Sequence, residues 1–182
     1  MGTTPALRAT PPDSGGDFSE LPFPAFKNHM KLRVVWLGKT RDPHLAALAK
    51  DFISRIQHSL PIEVIELKDV KTGDGKRRLQ DEAAKILATL DTTDRVILLD
   101  DKGPMWSSHQ LAAFLGKHMT EEQRRLTFVI GGFGGTAESV RKRAERMWSL
   151  SPLTFTHDMT RVLVIEQLYR AIAILNNHPY SK

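Results

Sequence analysis

From Leu32 onward, short apolar runs rich in β-branched residues alternate with longer stretches whose apolar positions recur every three or four residues. The first pattern is that of a buried strand, the second that of an amphipathic helix. "LRVVWL" (32–37), "IEVIEL" (62–67), "RVILLDD" (95–101) and "LTFVIGG" (126–132) predict strands, and "LTF" (153–155) a short fifth one. The third run is nearly all apolar, as expected of a strand inside a parallel sheet covered on both faces. Helices are predicted between them. Asp42 and Pro43 supply a cap and a first turn, followed by Leu45, Leu48, Ala49, Phe52 and Ile56 on one face. Leu79, Ala83, Ile86, Leu87 and Leu90 mark a helix over 76–90, and Ser107 with Gln110 forms a capping box ahead of Leu111, Phe114, Leu115 and His118. Two further helices are expected over 136–147 and 159–176. Strands alternating with helices predict an α/β domain, a mostly parallel sheet flanked by helices.

The last helix departs from the amphipathic pattern. Leu163, Val164, Ile165, Leu168, Ala171, Ile172, Ile174 and Leu175 cover most of its circumference, leaving a narrow polar strip at Glu166, Gln167 and Arg170. Such a helix must be buried on more than one side, and a second subunit is the expected second side. The first 29 residues follow neither pattern. They hold Pro5, Pro11, Pro12, Pro22 and Pro24 with a Gly15–Gly16 pair, and are expected to form a disordered extension ahead of a domain over 30–182. Met30 opens "MKLRVVWLGK", which reads as a natural start.

Composition narrows the chemistry. At 182 residues and 41% hydrophobic, the chain can bury one sizeable core. With no cysteine it has no disulfide framework, no thiolate nucleophile and no cysteine-based zinc site, and it suits a reducing compartment. No apolar run approaches a membrane span, and no secretory signal pattern is present. The 7 histidines include no i, i+4 pair with a nearby acid, so no metal site is expected. A net charge of +5, concentrated outside the acidic first segment, is compatible with a phosphate or RNA partner.

The most informative loop is "VIGGFGGTAESV". Glycines after a buried strand let a ligand approach the backbone, and the helix beyond offers free amides to an anion. The frame Gly132-x-Gly134-x-x-Ala137, with Asp158 about 20 residues on, also fits a dinucleotide-binding fingerprint, so a nucleotide-cofactor oxidoreductase and a plain tight turn both remain open at this point. Asp100 and Asp101 close the third strand, where ligands of α/β sheets bind. Arg161, ahead of the apolar helix, is a candidate for stabilising a developing anion.

Taken in order, "LLDDKG", "VIGGFGG" and "WSLSPLTFTHDMTRVLVIEQLYRAIAILNNHPY" resemble the ribosomal RNA large subunit methyltransferase H family of the SPOUT superfamily. The resemblance runs from Met30 to the end and is most specific from Trp148 to Tyr180. It implies a carboxyl-terminal trefoil knot, a homodimer in the cytoplasm, and transfer of a methyl group from S-adenosylmethionine to N3 of a pseudouridine in 23S rRNA. By position it implies a cofactor pocket of Leu99, Asp100, Gly131, Gly132, Ser151, Pro152, Leu153, Thr154, Phe155 and Thr156. His157, Arg161, His178, Tyr180 and Lys182 would contact the RNA, with Arg161, His178 and Tyr180 in catalytic roles. Two positions depart from the family pattern. Thr156 stands where a proline usually precedes the histidine equivalent to His157, and Ser181 replaces a final histidine, while Lys182 keeps the terminal charge. A homologue that binds RNA through its basic surface but has lost activity through Ser181 is the alternative within the same resemblance.

Overall fold

The computed structural model describes residues 31–70, 74–121, 124–132 and 134–181. The expected extension over 1–29 and the proposed RNA contact Lys182 lie outside the described residues. Five strands, β1 (Leu32–Leu37), β2 (Ile62–Leu67), β3 (Arg95–Leu99), β4 (Leu126–Ile130) and β5 (Arg146–Trp148), form one sheet in the order β2-β1-β4-β3-β5. Every pairing is parallel. All strand carboxyl ends therefore point the same way, toward one edge of the domain. The chain alternates with helices α1 (Pro43–Gln57), α2 (Gly75–Thr89), α3 (Ser108–Glu121), α4 (Glu138–Arg143) and α5 (His157–Leu175), and ends in a 3-10 turn at Pro179–Ser181.

Alternate strand residues feed two cores. Val34, Trp36, Ile97, Phe128 and Ile130 pack with α1, α3 and α5 on one face. Val35, Leu37, Val96, Leu98 and Val129 pack with Ala83 and Ile86 of α2 and Val140 of α4 on the other. The helix starts obey their local signals. Asp42 accepts from the His44 and Leu45 amides at 2.8 and 3.0 Å, and Ser107 and Gln110 exchange reciprocal hydrogen bonds.

Two expectations are corrected. The fourth helix stops at Arg143 and not at 147, because the backbone turns extended at Ala144 (ψ 132°) and enters β5. The fifth strand is therefore Arg146–Trp148, and "LTF" lies in the loop that follows, with Leu153 exposed. Val140, Ala144 and Met147 keep helical spacing, yet all three reach the same core by a helix followed by a strand. Of the apolar positions on α5, Val164, Ile165, Leu168, Ala171, Ile172 and Leu175 are buried within the single chain, where α5 lies on the sheet between α1 and α3, while Leu163 and Ile174 stay half-buried.

Candidate active site

A cleft of about 410 Å³ opens at the carboxyl ends of β3, β4 and β5. Ligands of open α/β sheets bind at this edge, outside the strand ends. Leu99 and Asp100 line it from the loop after β3, Gly131 and Gly132 from the turn after β4, and Ser151, Pro152, Leu153, Thr154 and Phe155 from the loop after β5. Nine of the ten positions assigned to the cofactor by resemblance thus converge on one cleft, with Ile130, Trp148 and Leu150 adding apolar floor.

Of the two acids on the lining, Asp101 is exposed and Asp100 is engaged. Asp100 forms a 2.8 Å ion pair with Arg141 of α4 and accepts from the Lys102 amide at 3.0 Å, which fixes the loop after β3. The turn after β4 is glycine for reasons behind the cleft. A Cβ on Gly131 would overlap the Thr136 hydroxyl, and one on Gly132 would lie 2.5 Å from Glu82 Oε2 and 3.1 Å from Leu37. In the next loop, the Ser151 hydroxyl accepts from the Leu153 amide at 3.0 Å, which turns the chain within the lining segment. Trp148 contributes an indole Nε1 that is buried without a partner.

Thr156 is the tenth position, and it does not line the cleft. Its hydroxyl caps α5, accepting from the Met159 amide at 3.3 Å. A proline at this place offers no such acceptor, so the departure from the family pattern gives the helix a side-chain cap.

His157 lines the cleft from the first turn of α5. Burial, helped by the nearby Arg161 cation, holds its imidazole below the usual histidine range, so it is neutral at pH 7. Arg161 itself does not face the cleft. It is 3% exposed and donates to Leu37 O at 2.5 Å, Thr40 Oγ1 at 3.2 Å and Asp158 Oδ1 at 2.9 Å, over the ring of Trp36. Asp158 in turn accepts from the amides of Arg41 and Asp42. These contacts lash the first turn of α5 to the loop after β1 through the two terminal nitrogens of the guanidinium, while its Nε is buried without a partner.

The tail lies elsewhere in the chain. Asn177 adopts φ 53°, the His178 amide reaches Ala173 O at 2.8 Å and the Asn177 amide reaches Ile174 O at 3.1 Å, which together make a Schellman stop. Tyr180 is then folded back on its own helix. Its hydroxyl donates to Glu166 Oε1 at 3.0 Å, Arg170 covers its ring at 4.9 Å, and Tyr169 and Phe52 pack beside it. Burial and the bond to Glu166 raise its phenol above the usual range and keep it protonated. At about 1.5 Å per residue along α5, His178, whose amide meets Ala173, stands roughly 24 Å from His157, and the Tyr180 hydroxyl, held by Glu166, roughly 14 Å. They do not join the cleft of their own chain.

The glycine frame leads into a helix of 6 residues, and Asp158 is held by Arg161 and two amides, so the acid that the dinucleotide fingerprint would aim at a ribose is committed. A family model described as "Predicted SPOUT methyltransferase" matches residues 30–181. The chain belongs to this family. Among its relatives, the Ribosomal RNA large subunit methyltransferase H of Trichlorobacter lovleyi is 42% identical over 154 residues, 83% of this chain and 99% of that protein. The proteins of the same name from Christiangramia forsetii and Parabacteroides distasonis are 40% and 38% identical, each over 154 residues, with 83% of this chain and 98% of theirs covered. In this SPOUT methyltransferase no helix among the described residues is long and apolar enough to cross a membrane.

Residue patterns missed Arg141, Trp148 and Glu82. Arg141 reads as one of a basic run with Lys142 and Arg143, and Trp148 as a core aromatic. Only Glu82 carried a signal, since it stands four residues after Arg78 on the otherwise apolar side of α2 with Ala83 and Ile86.

Proposed function

We propose that this SPOUT methyltransferase transfers a methyl group from S-adenosylmethionine to N3 of a pseudouridine in 23S ribosomal RNA. One observation carries the reading: three loops after β3, β4 and β5 build a single backbone-rich cleft in a chain whose relatives are named for ribosomal RNA methylation. The cleft fits the cofactor. Its volume of about 410 Å³ lies in the range of small-molecule sites, and Ile130, Trp148 and Leu150 give it an apolar floor. Asp100 is paired with Arg141, and Asp101 is an exposed carboxylate on the lining.

When bound, the cofactor supplies an electrophilic methyl group on a sulfonium, and no metal is needed. The chain must then hold the uracil ring and remove its N3 proton, whose acidity resembles that of tyrosine at about 10, so exposing the anion near neutrality costs roughly 4 kcal/mol. Neutral His157 at the mouth of the cleft is the group able to accept that proton. Arg161 acts as a positioning residue, fixing the turn that carries His157 and keeping the imidazole neutral.

His178 and Tyr180 can serve only the cleft of a second copy, which makes the proposed homodimer a requirement of their role. Met159 and Leu153, 37% and 72% exposed beside the cleft, offer apolar surface for that partner. The same reading carries the trefoil knot, a cytoplasmic setting and the basic surface as the RNA-facing side.

Calorimetry tests the cleft. S-Adenosylhomocysteine is expected to bind once per subunit, and NAD not at all; NAD binding without S-adenosylhomocysteine binding would overturn the reading in favour of an oxidoreductase.

A further inference from the structure

Glu82 is the one carboxyl group among the described residues that is buried and carries an oxygen without any hydrogen-bond partner. It sits on α2 directly behind the turn after β4. Oε2 lies 2.5 Å from where a Cβ of Gly132 would be, and Arg78 Nη2, one helical turn earlier, 3.3 Å from the same position at Gly134. The helix thus supports the glycine turn at two points with residues that do not line the cleft. We infer that Glu82 is a positioning residue for the cofactor-binding turn, holding Gly132 in place while its carboxyl group is protonated and releasing it on ionisation. This rests on the reading of the cleft as the cofactor site.

The argument is electrostatic. A buried carboxylate without donors is unfavourable, and burial raises Glu82 above the usual carboxylate range. The charged groups that face it are Arg78 and Lys85 of α2, which favour ionisation, and Asp69 after β2, which opposes it. Arg78 Nε stands 3.7 Å from Oε1, too far for a hydrogen bond. The ionised group gains most by closing on that partly exposed guanidinium, and the movement draws Oε2 away from Gly132. The neutral group has no such pull and stays packed under the turn. Cofactor affinity therefore falls as pH rises through the titration of Glu82. Without ligand the sign is the same: the folded chain holds a proton that the unfolded chain releases, so stability declines with rising pH across that window.

The test measures S-adenosylhomocysteine affinity and melting temperature from the ordinary carboxylate range near pH 4.5 upward to pH 8 for the full chain, E82Q and E82M. Wild type should lose affinity roughly tenfold, within the usual range of coupling between sites. E82Q should hold the low-pH affinity throughout, and its difference from wild type cancels titration of His157 and of the ligand. E82M, apolar and similar in length, covers the case in which the buried amide of E82Q prevents folding, and should show the same flat profile. A pH profile in either folded variant equal to that of wild type would overturn the role of Glu82. No binding by wild type at any pH would instead bring down the reading of the cleft, and this inference with it.

Discussion

Arg161→Ala is expected to cost about 3–5 kcal/mol of stability, the usual loss when one partner of a buried ion pair is removed. The guanidinium joins Leu37 O, Thr40 and Asp158, bracing the loop after β1 against the first turn of α5 beside the bonds from the Arg41 and Asp42 amides to Asp158. Removing it leaves the Leu37 carbonyl without that donor in a dry site and frees Asp158 from its cation. At about 2–4 °C per kcal/mol for a domain of this size, the melting temperature should fall by roughly 10 °C. Arg161→Lys should recover only part of this, since an ammonium cannot reproduce the planar fork that serves a carbonyl and a carboxylate together. Thermal denaturation measures both variants, and a loss below about 1 kcal/mol in Arg161→Ala would mean that the guanidinium does not brace α5.

The second large effect is a loss of methyl transfer that two defective proteins repair together. Deleting residues 180–182 removes the Tyr180 anchor at one end of α5 and leaves the cleft at the other end intact, so S-adenosylhomocysteine affinity should stay within about tenfold while transfer collapses. Gly132→Val should do the reverse. Its side chain enters space held by Glu82 and Leu37, displaces the turn and abolishes cofactor binding. In a dimer whose clefts each use the partner's tail, mixing the two proteins rebuilds one complete site per mixed dimer. Equal mixing after subunit exchange should restore roughly a quarter of wild-type transfer, the statistical share of intact sites in a two-fold dimer. No restoration between folded proteins that exchange subunits would show that the tail does not act across subunits.

Much of the architecture is written in local periodicity. Val34 and Trp36 face one core and Val35 and Leu37 the other, which is why a continuous apolar run marks a strand buried on both sides. The same signal fails at β5, where three residues are too few to set a period and where Val140, Ala144 and Met147 keep the spacing of the preceding helix. The apolar circumference of α5 correctly implies burial on several sides, but sequence does not say whose sides they are, and α1 and α3 of the same chain supply them. Most of the positions that line the cleft were legible only through family resemblance. Backbone-lined loops carry few side-chain signals, and Thr156, counted among them, turned to cap its own helix. Tyr180 packing on Phe52 and Glu166 joins residues far apart in the chain, beyond any local pattern.

Methyl transfer to ribosomes that lack the modification is the most direct measurement. With S-adenosylmethionine labelled in its methyl group and the product nucleosides identified by mass spectrometry, 3-methylpseudouridine from 23S rRNA is the expected product. A folded protein that binds S-adenosylhomocysteine yet leaves ribosomes unlabelled, or places the label on another nucleoside, would contradict the proposed function.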